Sequence, residues 1–311
     1  MEKRAFQAVN RLTEWPVFAK IRQLKLYYDK FIKHIGGYMK KTIALLLALT
    51  LVFGLTACGA KEEAAPAAAD GNAKTFTVGF DAEFPPYGYM DDNGEYVGFD
   101  LELAQEVCNR RGWTLKKQPI DWDAKDMELS SGSIDCIWNG FTINGREDQY
   151  TWSVPYVDNS QVFVVAADAG IATKADLAGK IVGVQKDSSA LAALQDEENQ
   201  ENLDLAASFA DLIQYADYNT GFMDLESGAI DALAIDIGVA AYQISSRGDA
   251  YVMLDENLSS EQYGIGFLKG NEELKNQVEE TLMEMVEDGT FMKIAEKYSD
   301  FGLVDSVCLG K

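Results

Sequence analysis

One seven-residue pattern, Leu-x-Ser-Gly-x-Ile-Asp, occurs twice in this chain. Leu129-Ser-Ser-Gly-Ser-Ile-Asp135 returns 96 residues later as Leu225-Glu-Ser-Gly-Ala-Ile-Asp231, and Val78-Gly-Phe-Asp81 returns 104 residues later as Val182-Gly-Val-Gln185. Each longer phrase reads as a helix end, a glycine stop and the start of a strand. Such junctions are common, so one echo would carry little. Two echoes at nearly the same spacing point to two lobes of similar build.

The remaining pattern is α/β. Thr75–Phe80 reads as a strand, and Leu101–Arg111 as an amphipathic helix with Leu101, Ala104 and Cys108 on one face and Gly112 as its stop. Short strands are expected at Ile134–Trp138, Gln161–Ala166, Lys180–Val184, Ile230–Ile235 and Tyr263–Leu268. The clearest helix spans Asn271–Asp288, with Leu274, Val278, Leu282, Met285 and Val286 on one face and Gly289 beyond it. Strands alternating with helices predict largely parallel sheets.

Charge narrows the function. The chain carries 27 Lys and Arg against 50 Asp and Glu, a net −23, which disfavours nucleic acid and anionic lipid as electrostatic partners. Its single histidine, His34, argues against catalytic triads and multi-histidine metal sites, and neither a metal nor a cofactor is expected. The charge is also uneven: residues 1–57 hold ten basic side chains and three acidic ones, leaving 17 basic and 47 acidic, a charge of −30, for the rest. Within the basic region Met39-Lys40-Lys41 precedes an apolar run from Ile43 to Leu55 and then Leu55-Thr-Ala-Cys58, the pattern of a secretory signal. The Leu-Thr-Ala-Cys ending resembles the lipobox of bacterial lipoproteins, which implies lipidation of Cys58 and an extracytoplasmic, membrane-anchored domain. An uncleaved anchor is the alternative, with the same sidedness. Residues 59–73 lack large apolar side chains and read as a flexible tether.

In parallel α/β sheets, ligands gather at the carboxyl ends of the strands. The four repeat-related strands end at Asp81, at Asn139-Gly140, at Gln185–Ser189 and at Asp236, so two facing lobes would bring these ends to one cleft. Beyond Cys58 the chain has only four arginines. Arg110 and Arg111 precede Gly112, and Arg247 precedes Gly248, where cations complement helix ends. Arg146 has no such explanation. It suits a bidentate grip on a carboxylate, or an ion pair with one of the many acids. Asp236 suits an ammonium, or the N-cap of a helix over 237–246. Ser188 and Ser189 are capping residues, oxyanion donors, or both. An Arg from one lobe and an Asp from the other would hold a zwitterion.

These residues carry a family resemblance. Asp81-Ala-Glu-Phe-Pro-Pro-Tyr87, Val97-Gly-Phe-Asp-Leu101, Ser133-Ile-Asp-Cys-Ile-Trp-Asn-Gly-Phe-Thr-Ile143 with Arg146, Trp152-Ser-Val-Pro-Tyr156, Asp176-Leu-Ala-Gly-Lys-Ile-Val-Gly-Val184 and Tyr263-Gly-Ile-Gly-Phe267 together resemble the polar amino-acid solute-binding proteins of ABC importers, over about residues 75–300. The resemblance implies a type II periplasmic-binding-protein fold: two α/β lobes with mixed, mainly parallel sheets, joined by hinge crossovers near Asn159–Val164 and Ser259–Tyr263. The implied organisation is a non-native extension over 1–38, a lipoprotein signal peptide over 39–57, a tether over 58–73, one lobe over 74–158 plus 263–311, and the other over 159–262.

Carried over by position, the resemblance assigns the ligand α-carboxylate to Arg146, the backbone N–H and side chain of Thr142, and the Ser188-Ser189 turn. It assigns the α-ammonium to Asp236, the Gly140 carbonyl and the Thr142 hydroxyl. Phe84 and Trp122 become aromatic walls, Asp81 and Gln185 polar neighbours, and Asn139 completes the set. The turn Thr142-Ile-Asn-Gly-Arg146 is one residue shorter than the family's usual Thr-Ile-Thr-Pro-Glu-Arg, with Asn144-Gly145 as a tight-turn pair. The implied protein is a monomeric, non-enzymatic capture protein that takes glutamine, a basic amino acid or a cystine-like ligand by hinge closure. Its partners are the small L-amino acid, the transmembrane subunits of an ABC permease and, through its lipid, the membrane. The other readings are an enzyme on the same scaffold, such as a dehydratase-like lyase using Asp81 or Glu83 as base, and a surface amino-acid sensor. Cys108 and Cys136 read as buried thiols, and with Cys308 they make an odd count after Cys58, which disfavours a disulfide framework.

Residues 1–38 precede the signal, so translation is expected to start at Met39. Peptide mapping of the unprocessed precursor should recover no peptide from residues 1–38, and recovery of one would overturn that start.

Overall fold

In the computed structural model, which describes residues 73–311, the repeated phrase explains itself. The chain runs through strands β1 (Thr75–Phe80), β2 (Glu83–Phe84), β3 (Gly88–Met90) and β4 (Tyr96–Val97), helix α1 (Phe99–Arg111), β5 (Thr114–Pro119), α2 (Lys125–Ser131), β6 (Cys136–Thr142), β7 (Thr151–Trp152) and β8 (Val157–Ala166). It continues through β9 (Ile181–Gln185), α3 (Ser189–Leu194), α4 (Gln200–Ser208), β10 (Asp211–Tyr215), α5 (Tyr218–Ser227), β11 (Ala232–Asp236), α6 (Ile237–Arg247), β12 (Tyr251–Met253), β13 (Ser259–Phe267) and α7 (Glu272–Glu287). The two echoes are α2 into β6 and α5 into β11.

In each copy the glycine closes its helix in the left-handed region, Gly132 at φ 76° and Gly228 at φ 74°. The following isoleucine, Ile134 or Ile230, is buried over a glycine of the neighbouring strand. A Cβ at Gly79 would lie 2.4 Å from Ile134 Cδ1, and one at Gly183 would lie 2.6 Å from Ile230 Cδ1. The terminal aspartate then clamps that same neighbour. Asp135 accepts from Thr77 N–H at 2.7 Å while its own N–H reaches the Thr77 carbonyl at 2.8 Å. Asp231 and Ile181 repeat both bonds at 2.8 Å. The spacing of 104 between β1 and β9 and of 96 between the phrases is thus one supersecondary unit used twice.

The strands form one ten-stranded sheet ordered β10-β9-β11-β8-β13-β6-β1-β5, with β12 on β8 and β7 on β13, beside a small β2-β3-β4 sheet. Pairing is parallel among β5, β1 and β6 and among β10, β9 and β11, and antiparallel wherever β8 or β13 takes part. The two sheets expected from the sequence are therefore joined through a central antiparallel pair. Residues 157–161 of β8 pair with 259–263 of β13, after which β8 turns to β11 and β13 to β6. The expected crossover segment Ser259–Tyr263 is the β13 side of this stretch, while of Asn159–Val164 only residues 159–161 lie in it and 162–164 pair with β11.

Around the first half, α1 and α7 cover the sheet with Leu101, Leu103, Ala104, Val107, Leu274, Val278, Leu282 and Met285 in a common core. Asn271 caps α7, its side chain accepting from Leu274 N–H. The second half contributes Tyr215, Phe222 and Leu233 to that same core and packs a separate one from Phe163, Val165, Leu177, Val182, Val184, Leu191, Leu194, Ala232 and Ala234. Arg110 and Arg111 pair with Glu106, Asp288 and Glu280, and Arg247 pairs with Glu226. Cys108 and Cys136 are buried thiols, and no described helix is long and apolar enough to cross a membrane. The expected signal segment and the expected lipidation site Cys58 lie outside the described residues.

Gly183 has ordinary backbone angles, so its requirement is space: an added Cβ would also meet Tyr215 at 2.9 Å and Leu233 at 3.0 Å. Gly183→Val should cost about 1–3 kcal/mol by overpacking the second half, read as a lower denaturant midpoint. An unchanged midpoint would contradict the packing described.

Candidate functional site

The carboxyl ends of β6, β9 and β11 converge on a narrow cleft lined by Phe84, Trp122, Asn139, Gly140, Thr142, Arg146, Gln185, Ser188, Ser189 and Asp236. These are the residues the sequence singles out, with Asp81 alone outside the lining. Asp81 instead underlies it: its carboxylate accepts from Gln185 Nε2 at 2.7 Å and from Glu83 N–H at 2.8 Å, and it faces an adjoining depression with Glu83, Asp121 and Asp217. Burial raises its pKa to about 6, against the lowering effect of those two hydrogen bonds.

The shortened turn delivers Arg146 to the cleft. Its backbone N–H closes the turn on the Ile143 carbonyl at 2.9 Å, and the guanidinium bonds the carbonyls of Thr142 at 3.3 Å and Asp187 at 3.2 Å while lying over the Phe141 ring. Among the described residues it is the one arginine in no ion pair, so that alternative does not hold.

Asp236 opens α6, but its side chain makes no capping bond, so the helix-cap alternative fails as well. Its buried carboxylate turns into the cleft floor, accepting from Tyr263 at 2.5 Å, Gln161 at 2.6 Å, Asn159 at 2.9 Å and Tyr218 at 3.2 Å. Burial, and then the neighbouring Glu261, push its pKa well up. Ser188 does cap α3, accepting from Leu191 N–H, whereas Ser189 points its hydroxyl toward Thr142 and Gln161.

Gly140 sits at φ 56°, and a Cβ there would lie 2.9 Å from Phe84 and 3.0 Å from Tyr263. Its N–H is held by Asp100 Oδ2 at 2.6 Å, an oxygen that also takes the Tyr156 hydroxyl at 2.8 Å. Asp100 is fully buried, which raises its pKa to about 7. Asn139 anchors β1 by accepting from Asp81 N–H, and its buried Nδ2 has no partner among the described residues. Phe84 packs at a tilt on Tyr218, and Trp122 meets Phe141 edge-on, so both aromatic walls are braced from behind.

Sequence reasoning missed Glu261, Asn159, Gln161, Tyr218 and Tyr263 on the cleft floor. Strand alternation carries a signal for four of them: Asn159 and Gln161 share a face with Val157, and Glu261 with Tyr263. It also missed a contact between the halves. Buried Lys125 pairs with Asp187, whose carbonyl Arg146 holds, and Asp187 is the one described non-glycine residue with positive φ, at 53°. Gln185 on Asp81, Ser189 beside Thr142 and Asn219 on Glu83 complete the bonds across the cleft.

Residues 76–301 match the bacterial extracellular solute-binding proteins, family 3. The chain belongs to this family. Among its relatives, the L-cystine-binding protein TcyJ of Escherichia coli K12 is 32% identical over 227 residues, covering 72% of this chain and 82% of TcyJ. A solved Streptococcus pneumoniae substrate-binding protein of an ABC uptake transporter, with bound histidine, is 34% identical at a TM-score of 0.68, covering 72% of this chain and 92% of its own. The ancestral amino-acid-binding protein AncCDT-1, a precursor of cyclohexadienyl dehydratase, is 30% identical at a TM-score of 0.65, covering 72% and 95%. The fold of this family 3 chain is the type II periplasmic-binding-protein fold the sequence implies.

Burial lowers the pKa of Lys125, and the Asp187 carboxylate acts against that shift. Asp187→Asn keeps a residue tolerant of positive φ and removes only the charge. It should destabilise the protein by about 1–2 kcal/mol, discounted for the exposure of Asp187, and Lys125→Met in the same background should recover most of the loss. Thermal unfolding of the single and double variants measures this; a double variant no more stable than Asp187→Asn would contradict it.

Proposed function

We propose that this chain is the extracytoplasmic substrate-binding protein of an ABC importer, capturing a polar L-amino acid and presenting it to a membrane permease. The observation that carries the reading is one cleft holding both an arginine free of ion pairs among the described residues and a buried aspartate free of helix-cap duty. Arg146, with the Ser188-Ser189 turn and Thr142, takes the α-carboxylate. Asp236, with the Gly140 carbonyl and Thr142 hydroxyl, takes the α-ammonium. Charge-assisted hydrogen bonds contribute roughly 1.5–3 kcal/mol each. Several together, less the entropy of capture, reach micromolar affinity or better, about 8 kcal/mol.

Phe84 and Trp122 would then sandwich the ligand side chain, with Gln185 and Asp81 at its end. That arrangement fits glutamine, a basic side chain or a cystine-like one. Relatives that bind cystine and histidine support this class. One lobe comprises residues 74–158 plus 263–311 and the other 159–262, closing about the β8–β13 pair. The bonds across the cleft belong to the closed form that a permease would read. Lipidation at Cys58 would anchor a monomeric protein to the outer face of the membrane.

Binding without turnover is part of the proposal. The candidate base Asp81 is engaged by Gln185 and the Glu83 N–H and lies outside the cleft lining, as does Glu83.

Calorimetry against an L-amino-acid panel tests this. Arg146→Ala should lose at least about 100-fold affinity for every amino acid bound, near 2.7 kcal/mol, while Asp81→Ala should alter the rank order. Tight binding by Arg146→Ala, no binding to any amino acid, or turnover of a bound one would overturn the reading.

A further inference from the structure

The cleft floor holds two buried carboxylates and no cation. Asp236 and Glu261 are 3% and 7% exposed, and neither forms an ion pair among the described residues. They share donors: Gln161 Nε2 lies 2.6 Å from Asp236 Oδ1 and 2.8 Å from Glu261 Oε1, and Asn159 Nδ2 lies 2.9 and 2.7 Å from the same oxygens. Glu261 Oε1 also has Thr142 Oγ1 at 2.8 Å and Ser189 Oγ at 3.1 Å. Two amides thus tie the carboxylates into one unit directly beside Thr142, at the place the proposed function gives to the ammonium. The carbonyl oxygens of those amides, Asn159 Oδ1 and Gln161 Oε1, are buried without a partner among the described residues.

We propose that Glu261 is the second counter-charge of the ammonium subsite, and that the Asp236–Glu261 pair gives up one proton when it takes the ligand's α-ammonium. The inference rests on the amino-acid reading above. Two adjacent buried carboxylates without a cation resist ionising together, so near neutral pH and below the ligand-free pair retains one proton. On binding, the carboxyl O–H bond breaks, the proton passes to the solvent buffer, and the ammonium keeps its own three protons and supplies the missing charge.

The groups facing the pair offer no other source of positive charge. They are the hydroxyls of Tyr87, Tyr218 and Tyr263, with Thr142 and Ser189 at the rim; Arg146 in the same cleft bonds the Thr142 and Asp187 carbonyls instead. Asp236 is on β11, Glu261 on β13 and both amides on β8, so the unit lies on strands that pair with one another directly or through β8. The upward push on Asp236 from burial and from Glu261 agrees with a retained proton. The sign follows: affinity falls as pH drops below neutrality, because a proton must be displaced, and is independent of this pair once pH is high enough to ionise both.

The test is calorimetry with L-cystine, L-arginine, L-histidine and L-glutamine in turn, in buffers of low and high ionisation enthalpy. The wild-type protein should release close to one proton per ligand at pH 6 and almost none at pH 8, with affinity about tenfold lower at pH 6 than at pH 8. Glu261→Gln keeps the shape, relieves the repulsion and should cut the release at pH 6 below half while flattening that ratio to about twofold. Tyr263→Phe removes the 2.5 Å donor to Asp236 and should move proton release to higher pH. Binding with no proton release, or the same release in both variants as in the wild type, would overturn the inference and leave the amino-acid reading standing. Failure of all four probes to bind would overturn both.

Discussion

Two long strands paired antiparallel carry the chain from one half of the molecule to the other and back. The register of β8 on β13 sets Glu261 opposite Asn159 and Ser259 opposite Gln161, and strand alternation turns Asn159, Gln161, Glu261 and Tyr263 to the same buried side. Beyond that stretch β13 runs along β6, where Tyr263 pairs with Thr142, and β8 runs along β11, where Gln161 pairs with Asp236. Thr142 and Asp236 therefore meet because the central strands bring their ladders together. A slip of one residue would turn the whole polar floor outward.

Charge economy is the second constraint. A strongly acidic protein has few cations to place, and in the first half it sets two of them against Asp187 beside the cleft. Lys125 and Arg146 both engage Asp187, one its carboxylate and the other its carbonyl, which leaves the guanidinium free of any acid while fixing the loop that leads into Ser188 and Ser189. Asp187 holds its left-handed backbone in that loop. On the far side Asp236 is hydrogen-bonded four times and forms no ion pair among the described residues. Positive and negative character are thus separated across the cleft.

Much of this was legible in the sequence because it is local. The repeated phrase encodes a helix stop, an isoleucine packed over a glycine and an aspartate clamp, all within a few residues of one another or of a strand neighbour. The helix ends at Gly112 and Asp288 follow from equally short signals. Scarcity made Arg146 stand out. Glu261, Asn159 and Gln161 did not stand out, because a polar residue in an amphipathic strand looks like a solvated one until the partner strand is known. Lys125 was equally silent: its burial depends on Asp187, which approaches from the other half of the molecule. Asp100 sits in the Val97–Leu101 motif, yet its work of fixing Gly140 depends on a bond spanning forty positions of sequence.

The central claim is that the cleft grips both charges of a zwitterion at once. Calorimetry comparing the tightest-binding L-amino acid with its α-carboxamide and its N-acetyl derivative tests it most directly, since each derivative removes one charge and leaves the side chain intact. The account predicts at least about a 100-fold loss for each derivative, near 2.7 kcal/mol. Either derivative binding as tightly as the parent amino acid would contradict it.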